Sequence, residues 1–140
     1  MGPRLKSVLM DFKLELIPVP VSDVDRAKAF YTQNAGFSLD NDVTVEEGLR
    51  FIQLTPPGSN CSISIGEGIT EMAPGTLEGL QMVVEEIEEA REELAARGVE
   101  VSEIEDFPWA RFVFFRDPDG NGWAVQQIPD YGEGETQPDP

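Results

Sequence analysis

The chain predicts an α+β fold of two tandem βαβββ modules forming a curved mixed sheet around a cleft. Two observations predict it. Residues 21–28, Val-Ser-Asp-Val-Asp-Arg-Ala-Lys, return as residues 84–91, Val-Glu-Glu-Ile-Glu-Glu-Ala-Arg, 63 positions later. Arg50-Phe51-Ile52, followed by Pro57 and Asn60, returns as Arg111-Phe112-Val113, followed by Pro118 and Asn121, 61 positions later. A repeat of this period fixes architecture before any single residue does. A half of this size cannot easily bury both a helix and a sheet alone, so the two halves must pack as one unit.

The elements follow in order. Residues 12–21 form an apolar run with Glu15 in its middle, which suits a strand buried on both faces; Pro18 and Pro20 cannot donate to a ladder and make it an edge or irregular strand. Ser22 and Asp25 resemble a capping box, and Val24, Ala27, Phe30 and Tyr31 recur at helical spacing up to a C′ stop at Gly36. Strands are expected over 38–45, 49–55 and 61–65, where Ile63 and Ile65 alternate with Ser62 and Ser64. Residues 56–60, Pro-Pro-Gly-Ser-Asn, turn between the last two. The second half repeats the order with a strand over 80–84, a helix over 85–97 stopped by Gly98, and strands over 99–104, 111–116 and 122–128. Asp117-Pro118-Asp119-Gly120-Asn121 is a tight turn. The domain plan is an extension over 1–11, one domain over 12–129 with modules 12–66 and 77–129 joined by a linker at 67–76, and a disordered acidic tail over 130–140. Met10 is an alternative start.

Composition narrows the partners. Of 140 residues, ten are basic and 27 acidic, a net charge of −17 that repels nucleic-acid phosphates and anionic membranes and favours a cationic ligand. Much of that acid falls on the second helix, where a solvated face is the ordinary reading. A single cysteine, Cys61, excludes an internal disulfide framework, and the chain has no histidine to activate it as a nucleophile. With no signal-peptide apolar core, no spanning stretch, and Lys6 where a myristoylation motif needs Ser or Thr, a cytoplasmic protein is expected. No Ser-His-Asp or Cys-His set and no phosphate-binding glycine loop is present.

The element order, the Pro20–Tyr31 segment and the Asp117–Trp123 turn resemble the vicinal oxygen chelate superfamily, which includes glyoxalase I, extradiol dioxygenases and bleomycin-resistance proteins. The resemblance covers roughly residues 12–129. It implies a cleft in which paired strands present His, Glu or Gln to a divalent metal. Carried onto this chain, those columns fall on Leu16, Gly79, Ile63 and Ala124, none of which ligates through its side chain. Glu15 and Glu78 flank the columns but point to the other face of their strands. The resemblance therefore implies no metal and no cofactor. It implies a homodimer with a small-molecule ligand, cationic or aromatic, held in a cleft lined by Leu16, Pro18, Gln53, Ile63, Gln81, Trp109, Phe112, Phe114, Ala124 and Gln126. Trp109, following Pro108 in a loop, has the least structural reason to be aromatic. The alternative is a metal-independent lyase or isomerase using a carboxylate base, with Asp40, Asp42, Glu46 and Glu47 as candidates that no spacing separates.

Overall fold

A computed structural model describes residues 10–128; the acidic tail and most of the N-terminal extension lie outside the described residues. The strand–helix–three-strand order appears twice. The first module runs β1 (Leu16–Pro18), α1 (Val24–Ala29) with a π-helical continuation (Phe30–Asn34), β2 (Ser38–Glu46), β3 (Leu49–Thr55) and β4 (Ser62–Glu67). The second runs β5 (Leu80–Val83), α2 (Ile87–Ala96), β6 (Glu105–Asp106), β7 (Arg111–Arg116) and β8 (Gly122–Gln127). Each module forms a four-stranded mixed sheet, ordered β1-β4-β3-β2 and β5-β8-β7-β6. The opening strand pairs in parallel with the last in both cases, and the other pairings are antiparallel.

Alternation divides each sheet into two faces. Ile52, Leu54, Ile63 and Ile65 of the first sheet and Val113, Phe115, Trp123 and Val125 of the second join Ala27, Tyr31, Ile87 and Leu94 of the helices in one continuous core. Each such side chain contributes roughly 1.5–3 kcal/mol by leaving water. The rings of Phe30 and Tyr31 reach across the modules to Phe115 and Trp123. The helix-side faces of both sheets thus share one interior, and their opposite faces turn outward.

The helix starts differ from one another. Asp23, rather than Ser22, caps α1 by accepting from Arg26 N at 3.1 Å, while Ser22 Oγ reaches Asp119 at 2.5 Å. Glu86 at the start of α2 makes no such bond; instead Gln127 Oε1 accepts from Ile87 N at 2.7 Å. Ala35 N bonds Phe30 O at 2.9 Å, a widened turn that carries the chain to Gly36 at φ +81°.

Two sequence expectations are corrected. The opening strand is not buried on both faces. It is three residues long, Phe12 is 90% exposed, and the ladder begins where Ser62 N bonds Glu15 O. Residues 99–104 form no strand. Ser102 N bonds Phe114 O, but Phe114 N is taken by the Ser102 hydroxyl at 2.9 Å, so a side chain replaces the carbonyl and the ladder resumes only at Glu105. Among the described residues no helix is long and apolar enough to cross a membrane.

Candidate functional site

The turn motif that carries the family resemblance is a structural node. The Asp117 carboxylate accepts from the Tyr31 hydroxyl at 2.7 Å, from Asn121 Nδ2 at 2.8 Å, and from the backbone N–H groups of Asp119, Gly120 and Asn121. Tyr31 in turn accepts from Trp123 Nε1 at 2.9 Å. Asn121 ties the module entrances together: Nδ2 donates to Pro20 O at 2.8 Å and Oδ1 accepts from Leu77 N at 3.0 Å. Burial, with the Asp117 carboxylate, pushes the Tyr31 phenol well above its ordinary value, so it stays a neutral donor. These groups are buried and spend every side-chain donor hydrogen on one another and on the backbone.

The outward face of the second sheet is different. Phe112 and Phe114 stack at 5.8 Å, Phe107 meets Phe112 edge-on at 5.5 Å, and Phe107 stacks on Trp109 at 5.5 Å. The result is an aromatic strip. Phe114, 37% exposed, forms one wall of a hollow of about 790 Å³. Beside it β8 and the lead into β5 carry Gly122, Ala124 and Gly79, whose small size leaves the space open. A Cβ at Gly122 would stand 2.5 Å from Glu78 Oε1. Glu78 pairs with Arg116 at 2.8 Å at the rim and holds that guanidinium above its usual value; Glu100 lines the same hollow.

The outward face of the first sheet carries a polar row beside Leu16, Pro18 and Phe51. Gln53 lies opposite Ser64, and Thr55 runs beside Ser62. Asp40, Thr55, Ser62 and Gln53 are joined by hydrogen bonds.

The sequence-proposed residues divide accordingly. Leu16, Pro18 and Gln53 share the outward face of the first sheet, by their pairing with Ser62, Ser64 and each other's neighbours. Phe112, Phe114, Ala124 and Gln126 share that of the second, with Trp109 stacked beyond them. Gln81 pairs with Ala124 at the sheet edge and lines a second hollow of about 430 Å³, between the 56–59 turn and α2. Ile63 is a correction. It is 3% exposed, pairs with Leu54, and points into the core. The first turn has six residues between Thr55 and Ser62, the second five between Arg116 and Gly122. The 61-residue offset slips by one across it, and one residue reverses a strand's face. The counterpart of Ala124 is Ser64. Counting the turns brings Ser62 and Ser64 onto the outward face, and Thr55 joins them by alternation with Gln53.

Of the candidate bases, Asp42 is held by Arg50 and Lys28 on the helix side, which keeps its carboxyl far below the usual range, and Asp40 accepts from Thr55. Glu46 and Glu47 are exposed. The side chains of Leu16, Gly79, Ser64 and Ala124 do not fit a divalent catalytic metal, which requires imidazole or carboxylate donors. Among the described residues no three His, Cys, Asp or Glu side chains converge.

Comparison with known proteins agrees with this architecture. Residues 13–125 match the Glyoxalase/Bleomycin resistance protein/Dioxygenase superfamily, and the chain belongs to it. The structure is similar to TnmS3, an antibiotic binding protein from Streptomyces sp. CB03234, with 33% identity over 87% of this chain and 100% of that one, at a TM-score of 0.78. It is similar to a glyoxalase/bleomycin resistance protein from the same strain, at 36% identity over 82% and 100% of the chains and a TM-score of 0.72. The uncharacterized protein YetH of Bacillus subtilis (strain 168) is 27% identical over 115 residues, 79% of this chain and 94% of that protein.

Proposed function

We propose that this protein is a metal-independent binding protein that captures a flat aromatic compound, cationic forms preferentially, on the outward face of its second sheet. The observation that carries the reading is the strip Trp109–Phe107–Phe112–Phe114 running into a hollow floored by glycine and alanine. Phe112 is buried beneath the strip, but Phe107 and Phe114 are more than a third exposed and Phe114 has open space beside it, which suits a planar ligand. The net charge of −17 and Glu100 at the hollow favour a cation. The antibiotic-binding description of TnmS3 supports the same kind of ligand. The lyase or isomerase alternative would draw its base from the carboxylates lining the hollow, of which Glu78 is committed to Arg116 and Glu100 is not paired among the described residues.

The reading includes a homodimer. Met10, Phe12 and Leu14, with Val43 and Val45 on β2, are large, exposed and apolar. A second copy covers such a surface, and with the first sheet of one copy facing the second sheet of the other, the polar row opposes the aromatic strip across a cleft.

Titration of chelator-treated protein with bleomycin and with acridine orange tests it. Saturable quenching of tryptophan emission is expected, reduced in Trp109→Phe, together with stabilisation of about 2.7 kcal/mol at 100 times the dissociation constant. Affinity should fall with salt. Absence of quenching and of any melting shift with both compounds, or a requirement for added metal, would overturn the reading. Sedimentation should give twice the 15.5 kDa chain mass.

A further inference from the structure

Gln53 and Phe114 occupy one column of the repeat, Gln53 opposite Ser64 and Phe114 opposite Ala124. Phe114 offers only a ring. Gln53 ends a line of polar side chains whose direction is fixed. Gln53 Nε2 lies 3.2 Å from Ser62 Oγ, Ser62 Oγ lies 2.6 Å from Thr55 Oγ1, and Thr55 Oγ1 is bonded to the Asp40 carboxylate.

Counting hydrogens sets the order. A carboxylate has acceptors only, so Thr55 donates its single hydroxyl hydrogen to Asp40. The bond between the two hydroxyls must then use the hydrogen of Ser62. Ser62 has none left for Gln53, so its oxygen accepts from the amide NH₂. One carboxylate thereby orients two hydroxyls and an amide. The Gln53 carbonyl oxygen is left over. No hydrogen bond among the described residues uses it, and Gln53 is half-buried on the outward face.

We infer that the Gln53 carbonyl is an acceptor aimed at the ligand, so that the site selects flat aromatic molecules bearing a hydroxyl or amine donor over otherwise identical molecules without one. The inference rests on the proposed cleft, in which the first sheet of one copy faces the aromatic strip of the other. The relay holds the acceptor in place before the ligand arrives, so little ordering is left to binding. An apolar edge set against it strips it of water without replacement, which makes rejection sharper than attraction.

The test uses a matched pair, 1-hydroxypyrene and 1-methoxypyrene, titrated at neutral pH. The phenol is expected to bind about ten-fold more tightly to the unaltered protein. Gln53→Leu should bring the ratio to one. Asp40→Asn is the discriminating variant. Its amide can donate to Thr55, the relay can then run backwards, and Gln53 can turn its NH₂ to the ligand, so the ratio should fall although the Gln53 side chain is unchanged. Phe114→Ala should weaken both probes and preserve the ratio. Melting curves show whether each variant folds. A ratio of one in unaltered protein that binds both probes, or a ratio that survives Gln53→Leu, overturns the Gln53 assignment alone. Failure of the unaltered protein to bind either probe overturns the cleft reading and this assignment with it.

Discussion

Arg50 and Arg111 do the same work in the two modules. Nη1 of each reaches an acid in the first turn of its own helix, Asp25 at 3.0 Å and Glu88 at 2.8 Å. Nε of each reaches an acid on the outer strand, Asp42 at 3.0 Å and Asp106 at 2.7 Å. Three positions further along the same strands the likeness ends, with Gln53 in one module and Phe114 in the other. The helix-side residues must fit a shared interior, so both copies keep the same solution. The outward residues at this column are free of that constraint, and they form a polar row in one module and an aromatic strip in the other. The outward faces of the two sheets therefore differ at this column while the arginine clamps beneath them match.

The largest way to break the comparison is at the turn between each module's last two strands. The second turn holds the buried Asp117 node, and the first, at residues 56–61, holds nothing equivalent among the described residues. Asp117→Ala leaves Tyr31 and three backbone N–H groups without their acceptor. It is expected to cost about 3–5 kcal/mol in denaturant unfolding. Pro57→Ala at the exposed first turn should cost under about 0.5 kcal/mol. Equal losses would remove the distinction. Next is Phe114→Ala, which should weaken acridine orange binding about ten-fold while the melting temperature changes little, because the ring is already partly in water.

The clamps give the smaller effects. Hydrogen bonds from Arg50 and Lys28 keep the Asp42 carboxyl far below the ordinary aspartate range. A depressed folded-state value means the contribution is complete above about pH 4 and is lost as pH falls through the folded value. Asp42→Asn should therefore cost about 1 kcal/mol at neutral pH, less in high salt, with the two proteins converging in strong acid. Glu88 is also lowered, first of all by its bond to Arg111, but it stands in open solvent. Glu88→Gln should shift the melting temperature less than Asp42→Asn does, and a larger shift would show that the second clamp is the stronger.

Much of this was legible in the sequence because it is periodic. The repeat placed both modules, and the glycine stops at Gly36 and Gly98 ended both helices. What was not legible depended on single residues acting over distance. Ile63 was assigned to the wrong face because one turn is a residue longer than the other, and a period of two converts that into a reversal. The Ser102 hydroxyl replaces a ladder carbonyl, which no propensity predicts. Tyr31 read as a packing residue, and its bond to Asp117 spans 86 positions that no local pattern connects.

Asn121 carries a consequence for how the chain acquires its structure. Its side chain bonds Pro20, 101 residues earlier, as well as Leu77 at the entrance to the second module. Until the last hairpin exists the first module lacks the acceptor of the Tyr31 hydroxyl and the second of the two donors to Pro20 O, the first being Gly75 N. Contacts of such sequence separation form late and slowly. A fragment of residues 10–66 should show no cooperative melting transition. A duplication that looks modular in sequence is then expected to fold as one piece.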